Sequence, residues 1–84
     1  MISLDILTPD LKVYSGDVYA VNLPGSLGAF EVEEKHAPLI STLGKGYITI
    51  RKTSKDEEKI MIDGGLVEVL HNKVIVLADA VVKA

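Results

Sequence analysis

The stretch Asp63-Gly64-Gly65-Leu66-Val67-Glu68-Val69-Leu70-His71-Asn72-Lys73-Val74-Ile75-Val76-Leu77 decides the fold. Gly64-Gly65 turns or bulges the backbone at a place where only glycine fits. Leu66, Val67, Val69 and Leu70 then form a β-rich run that leads to His71-Asn72. Asn tolerates a positive φ and suits a tight hairpin there. Val74 to Leu77 is the return strand. The glycine pair is followed by a strand pattern rather than by a helix, so it lacks the helix N-terminus that a dinucleotide site needs. Its reading is backbone shape.

The same period of two runs outward from this hairpin. Ile2, Leu4 and Ile6 alternate with Ser3 and Asp5, as a half-buried strand requires. Thr8-Pro9-Asp10 reads as a turn, Leu11 and Val13 as renewed alternation, and Ser15-Gly16-Asp17 as a further punctuation. Val18 to Leu23 is one β-rich run with Tyr19, Val21 and Leu23 on one face. Pro24-Gly25-Ser26 is a strong turn signal. Ala29 to Val32 is a short strand, and Glu33-Glu34-Lys35-His36 a solvated link. Pro38 keeps the residue before it extended. Tyr47, Thr49 and Arg51 alternate with Ile48 and Ile50. Ser54 to Glu58 is a charged tip, and Ile60 and Ile62 lie on the return. Turn signals recur every 8–12 residues or so. The expectation is an all-β domain over residues 1–84, a two-sheet antiparallel β-sandwich of about ten short strands.

Composition narrows the function. The 84 residues are 48% hydrophobic and contain no Cys, and the formal net charge is −3. A chain this small buries a modest core, and without disulfides such scaffolds often lean on a partner surface. The acidic balance and the scarcity of aromatics argue against nucleic acid. No apolar run approaches the roughly 18–20 residues that a membrane helix needs, so no direct membrane insertion is expected.

Catalytic chemistry finds little to work with. His36 and His71 are the two histidines, with no spacing that would complete a metal site. His36 reads as a turn residue bonded to a loop carbonyl. Gly25-Ser26-Leu27-Gly28 lacks the Lys-Ser/Thr and the helix of a phosphate-binding loop. Glu31, Glu33 and Glu34 could pair as acid and base, but such a run is more often a solvated loop or a partner-facing edge. The expectation is no catalytic residue, no metal and no cofactor.

Three ordered stretches carry a resemblance. They are Leu23-Pro24-Gly25-Ser26-Leu27-Gly28-Ala29-Phe30, then His36-Ala37-Pro38-Leu39-Ile40-Ser41-Thr42-Leu43 with Lys45-Gly46, then Asp63-Gly64-Gly65-Leu66-Val67-Glu68-Val69 leading to Val74-Ile75-Val76-Leu77-Ala78-Asp79. Together they resemble the epsilon subunit of F-type ATP synthase, called delta in mitochondria. The resemblance implies a ten-stranded β-sandwich in the central stalk, packed against the gamma subunit and resting on the c-subunit ring. It implies coupling of proton translocation to ATP synthesis without an active site, at the cytoplasmic face of the bacterial inner membrane. The c-ring contacts that it implies are Ser26, Leu27, Ala29, Glu31 and His36. Gly25, Gly28, Pro38, Gly64 and Gly65 are its structural turns. Ala29 stands where family members commonly carry an acidic residue, so the contact is expected to shift along the loop toward Glu31, Glu33 and Glu34. The loop from Ser26 to His36 is expected at the c-ring end. Family members usually continue into a helical hairpin that inhibits ATP hydrolysis. The present sequence matches only the sandwich, as a naturally short subunit or as a domain of a longer one, and coupling without that brake is expected. The competing reading is a lipoyl- or biotinyl-type carrier module with Lys35 as the attachment site.

Overall fold

The computed structural model describes residues 1–82. Nine strands are formed among them: β1 (Ile2–Leu7), β2 (Lys12–Val18), β3 (Ala20–Leu23), β4 (Phe30–Val32), β5 (Leu39–Leu43), β6 (Gly46–Arg51), β7 (Glu57–Ile62), β8 (Gly65–Leu70) and β9 (Lys73–Ala78). They make a five-stranded sheet in the order β2-β1-β9-β8-β5 and a four-stranded sheet in the order β4-β3-β6-β7. This is the two-sheet sandwich expected from the alternation.

The interior is the inward half of each alternation. Ile2, Leu4 and Ile6 from β1, Val67 and Val69 from β8, and Val74 and Val76 from β9 face Val21, Leu23, Ile48, Ile50 and Ile62 of the other sheet. Among the described residues no charged or polar side chain is buried. The core is therefore held by apolar burial, at roughly 25 cal/mol per Å² removed from water.

Three details differ from the sequence reading. First, the sandwich is not wholly antiparallel: β1 lies beside β9 in parallel, with Ser3 opposite Lys73 and Leu7 opposite Leu77. A period-two pattern specifies faces but not strand direction. Second, Ser15-Gly16-Asp17 does not interrupt the chain. All three lie inside β2, where Gly16 pairs with Leu4 and Ser15 Oγ donates to Asp5 Oδ1 at 2.7 Å. An outer strand facing solvent tolerates small polar residues that would punctuate a central one. Third, Val18 to Leu23 is not one strand. The chain leaves the five-stranded sheet after Val18 and enters the four-stranded sheet at Ala20, so Tyr19 is a corner. The corner turns Tyr19 outward while Val21 and Leu23 point into the core.

Two tight places depend on special backbone. His71 and Asn72 have φ of 51° and 61°, as a two-residue hairpin loop of the type I′ kind requires. Gly65 has φ of 155°, and a Cβ there would overlap the Leu77 carbonyl across the sheet. Together with Gly64 (φ 128°) it carries the chain from β7 in one sheet to β8 in the other.

Candidate interaction surface

The registers sort the connections into two ends of the sandwich. Leu43 pairs with Gly65 and Gly65 with Ala78, so the Pro24–Ala29 loop, which bridges to Leu43 through Gly25, lies at that end. Leu39 pairs with Val69 and Leu70 with Lys73, which puts the His71-Asn72 turn at the opposite end. The Glu33–His36 link is there too: Lys35 N–H donates to Asn72 Oδ1 at 2.6 Å, and the N-terminal ammonium of Met1 bonds Glu34 Oε1 at 2.6 Å.

The candidate c-ring residues therefore do not form one site. Ser26, Leu27 and Ala29 share the exposed loop at the tip of the β3–β4 hairpin. Glu31 lies within β4, and its carboxylate is bonded to Arg51 at 3.1 Å on the outer face of the four-stranded sheet. His36 lies at the far end, where its Nδ1 is 2.7 Å from the Ala37 carbonyl, the loop-carbonyl bond read from the sequence. The residues from Ser26 to His36 are not one loop, because the chain passes through the strand Phe30–Val32 between them and Ser26 and His36 lie at opposite ends. The ammonium of Met1, by hydrogen bond and by charge, holds the Glu34 carboxyl below the ordinary glutamate range. Two of the three glutamates thus already have cationic partners within the chain.

The loop tip is stiffly built. Gly28 N–H donates to Gly25 O at 3.0 Å, which closes a turn with Ser26 and Leu27 at its corners. Ser26 N–H donates to Thr42 O at 3.0 Å, Thr42 Oγ1 donates to Ser26 Oγ at 2.8 Å, and Gly44 N–H donates to Pro24 O at 2.8 Å. Gly25 is required by close approach: a Cβ there would sit 2.5 Å from Gly28 O and 2.9 Å from the Phe30 ring.

The two outer faces are finished differently. On the four-stranded sheet, Arg51 stands 5.5 Å from the Tyr19 ring and Lys59 5.8 Å from the Tyr47 ring. Lys52 bonds Glu58 at 2.8 Å, and Glu58 raises the Lys52 pKa by hydrogen bond and by charge. On the five-stranded sheet the outward positions of β5, β8 and β9 carry five large apolar side chains, Ile40, Leu66, Leu70, Ile75 and Leu77, beside Thr42, Glu68 and Lys73, with Glu68 in register between Ile40 and Ile75. Ile40, Leu66, Leu70 and Leu77 are 38–67% exposed, and Leu66 lies directly opposite Leu77. With Ile75 and Glu68 they line shallow depressions. This stripe was not singled out from the sequence. Its signal is the doubled pairs Leu66-Val67 and Val69-Leu70, which put leucines on either side of Glu68 on the outward face of β8.

Lys35 has φ of 66° in a turn, but β4 and β5, which flank it, belong to different sheets. It is therefore not at the tip of a hairpin, and the carrier reading loses the geometry that motivated it. Among the described residues no three His, Asp or Glu side chains group as metal ligands.

These features define a class: a small all-β module with an apolar interior, no buried ionisable group among the described residues, and one outer face on which large apolar side chains surround Glu68. All 84 residues match the family described as ATP synthase, Delta/Epsilon chain, beta-sandwich domain, and the chain belongs to that family. It is 43% identical over 81 residues to the ATP synthase epsilon chain of Sulfurimonas denitrificans, covering 96% of this chain and 62% of that one. It is 46% identical over 82 residues to that of Campylobacter lari, covering 98% and 63%. The chain thus spans under two thirds of the length of these relatives. A shorter relative, the ATP synthase epsilon chain of Chlorobium limicola, is 40% identical over 78 residues, covering 93% of this chain and 89% of its own length. The fold is shared with a chain of the Tetrahymena thermophila mitochondrial ATP synthase central stalk and c-ring (TM-score 0.82, 15% identity, covering 98% of this chain and 66% of that one). It is shared also with a chain of the Euglena gracilis mitochondrial ATP synthase assembly that contains OSCP, F1 and c-ring (TM-score 0.89, 19% identity, covering 96% and 52%).

Proposed function

We propose that this chain is a non-catalytic central-stalk component of an F-type ATP synthase that joins the gamma subunit to the c-subunit ring and couples proton translocation to ATP synthesis. Family membership and the names of the relatives support the setting. The observation that carries a docking role is the cluster of Ile40, Leu66, Leu70, Ile75 and Leu77 around Glu68, on a sheet face over which nothing is packed among the described residues. A small domain with such a face gains stability when a partner covers it. The stripe is the gamma-facing surface in this reading. The Pro24–Ala29 loop, which projects from one end of the sandwich, faces the ring. The protein is then peripheral, held at the cytoplasmic face of the bacterial inner membrane by the complex and not by its own insertion.

The test is co-expression with the gamma subunit. A stoichiometric complex that survives purification is the expected result, and restored proton-linked ATP synthesis in a synthase depleted of its epsilon chain is the functional counterpart. A chain that elutes alone and leaves the depleted enzyme uncoupled would remove the proposal.

A further inference from the structure

Glu68 stands at the centre of the apolar cluster on the five-stranded sheet. Across the strands it lies in register between Ile40 and Ile75, and along β8 the next outward residues are Leu66 and Leu70. The shallow depressions of this face, lined by Leu70 and Lys73, by Pro38 and Ile40, and by Leu66 and Leu77, all have Glu68 in their lining. Other carboxylates have partners within the chain: Glu31 pairs with Arg51, Glu34 with the ammonium of Met1, and Glu58 with Lys52. Asp5, on the far side of Ile75 in the same row, accepts from Ser15 Oγ. Glu68 forms no ion pair among the described residues. Lys73 is diagonal to it, in register with Leu70 and with Ser3.

Charge decides what can cover this face. The Glu68 carboxylate is exposed and hydrated in the free chain. Anything that covers the surrounding leucines and isoleucines also takes away that water. A carboxylate shut into apolar surroundings without a cation is heavily penalised, whereas a cation placed against it offsets the loss. A wholly apolar partner is therefore a poor fit. A second copy of the chain is a poor fit too, because a two-fold axis through the centre of the cluster would set Glu68 against its own mate. The surface that fits is apolar and carries one Lys or Arg at its middle.

We propose that Glu68 is the specificity-determining residue of this face: it accepts an apolar patch of the gamma subunit with a Lys or Arg over the carboxylate, and it rejects a second copy of the chain. The inference rests on the stalk reading above and supplies the chemistry that the gamma patch must have. Such a charge selects the partner and fixes its register more than it adds affinity.

The experiment measures gamma binding by the wild type and its variants, with sedimentation of each chain alone in parallel. Glu68→Gln keeps the shape and is expected to bind gamma about tenfold more weakly or worse, since the cation of gamma is left buried without its partner. The Lys and Arg residues of gamma are then changed one at a time to Met. One of these changes is expected to cost about as much as Glu68→Gln, and the two together little more than either alone, the non-additivity of a direct pair. Glu68→Leu is expected to bind gamma no better than Glu68→Gln, and to self-associate at concentrations where the wild type stays monomeric. Thermal unfolding checks that each variant folds. If the wild type binds gamma and Glu68→Gln matches it, or if Glu68→Leu binds more tightly than the wild type, the proposal is overturned while the stalk reading stands. Coupling of Glu68 to Lys73 of its own chain, or to no cation of gamma, overturns it in the same way. A wild-type dimer that Leu66→Thr abolishes overturns the rejection of a second copy. A wild type that does not bind gamma removes the stalk reading, and this inference with it.

Discussion

The outer faces of the two sheets follow the same period of two and reach opposite chemical ends. On the four-stranded sheet the outward side chains answer one another: Arg51 with Glu31 and Tyr19, Lys59 with Tyr47. On the five-stranded sheet Leu66 faces Leu77 across the β8–β9 pair, with Ile40, Leu70 and Ile75 around them. One face is paired within the chain; the other keeps five large apolar side chains exposed or half-exposed around Glu68. Leucines on the outward side of a strand, as at Leu66 and Leu70 of β8, therefore mark where a small sandwich offers a surface to another layer.

The comparison breaks most severely at Gly65. That residue fixes which of Leu66 and Val67 points outward, and it has both a positive φ and no room for a Cβ. Gly65→Val is expected to destabilise the domain by about 3 kcal/mol or more, through backbone strain and overlap. Chemical denaturation measures it, and an unchanged midpoint would show that β8 can re-register. Next in size, on the stalk reading proposed above, is the double variant Leu66→Thr with Leu77→Thr. It should weaken gamma binding by about a hundredfold while the isolated chain still melts cooperatively close to the wild type, because Thr suits a strand and sets no like charges opposite each other. Tyr47→Ser with Lys59→Gln, on the other face, should change gamma binding by less than about threefold; equal losses on both faces would erase the distinction. Arg51→Ala removes the Glu31 pair and the contact with Tyr19, and is expected to cost roughly 0.5–1 kcal/mol.

The smallest effect is at Glu34. Its pairing with the Met1 ammonium lowers the folded-state pKa below the ordinary value. The sign follows: the contribution of this pair is present above the unfolded-state pKa of glutamate and is lost as pH falls through the lower folded-state value. Because the pair is exposed, the stability change is slight. A carboxyl titration followed by NMR should show the depressed midpoint, and acetylation of the amino terminus should return it toward the ordinary glutamate value.

Most of the fold was legible in the sequence because burial in a sandwich is a local, alternating property. Ile2, Leu4 and Ile6, or Ile48 and Ile50, announce their face by spacing alone, and His71-Asn72 announces its turn by backbone preference. What was not legible is set by distant partners. The parallel neighbour of β1 lies near the other end of the chain, and Tyr19 looks like a strand residue until the change of sheet makes it a corner. The candidate residues are divided between two ends for the same reason. Residues 26–36 are contiguous in sequence, yet the chain runs through β4 between Leu27 and His36 and leaves them at opposite ends of the sandwich. The glutamates looked available because Arg51 and the ammonium of Met1, which occupy two of them, lie far away along the chain.

The placement of β9 has a consequence for synthesis. It is the middle strand of the five-stranded sheet, and its last residues are among the last described. Until Lys73–Ala78 has left the ribosome, β2-β1 and β5 with β8 are two separate pairs, and two-stranded ribbons are marginal on their own. Ribosomes add about 5–20 residues per second, and pairings between distant segments form slowly after that. The nascent chain therefore waits, with Ile2, Leu4 and Ile6 exposed, for a strand encoded some seventy codons later. This domain folds after translation of nearly its whole length, and a ribosome stalled before β9 holds a chain that chaperones must shield.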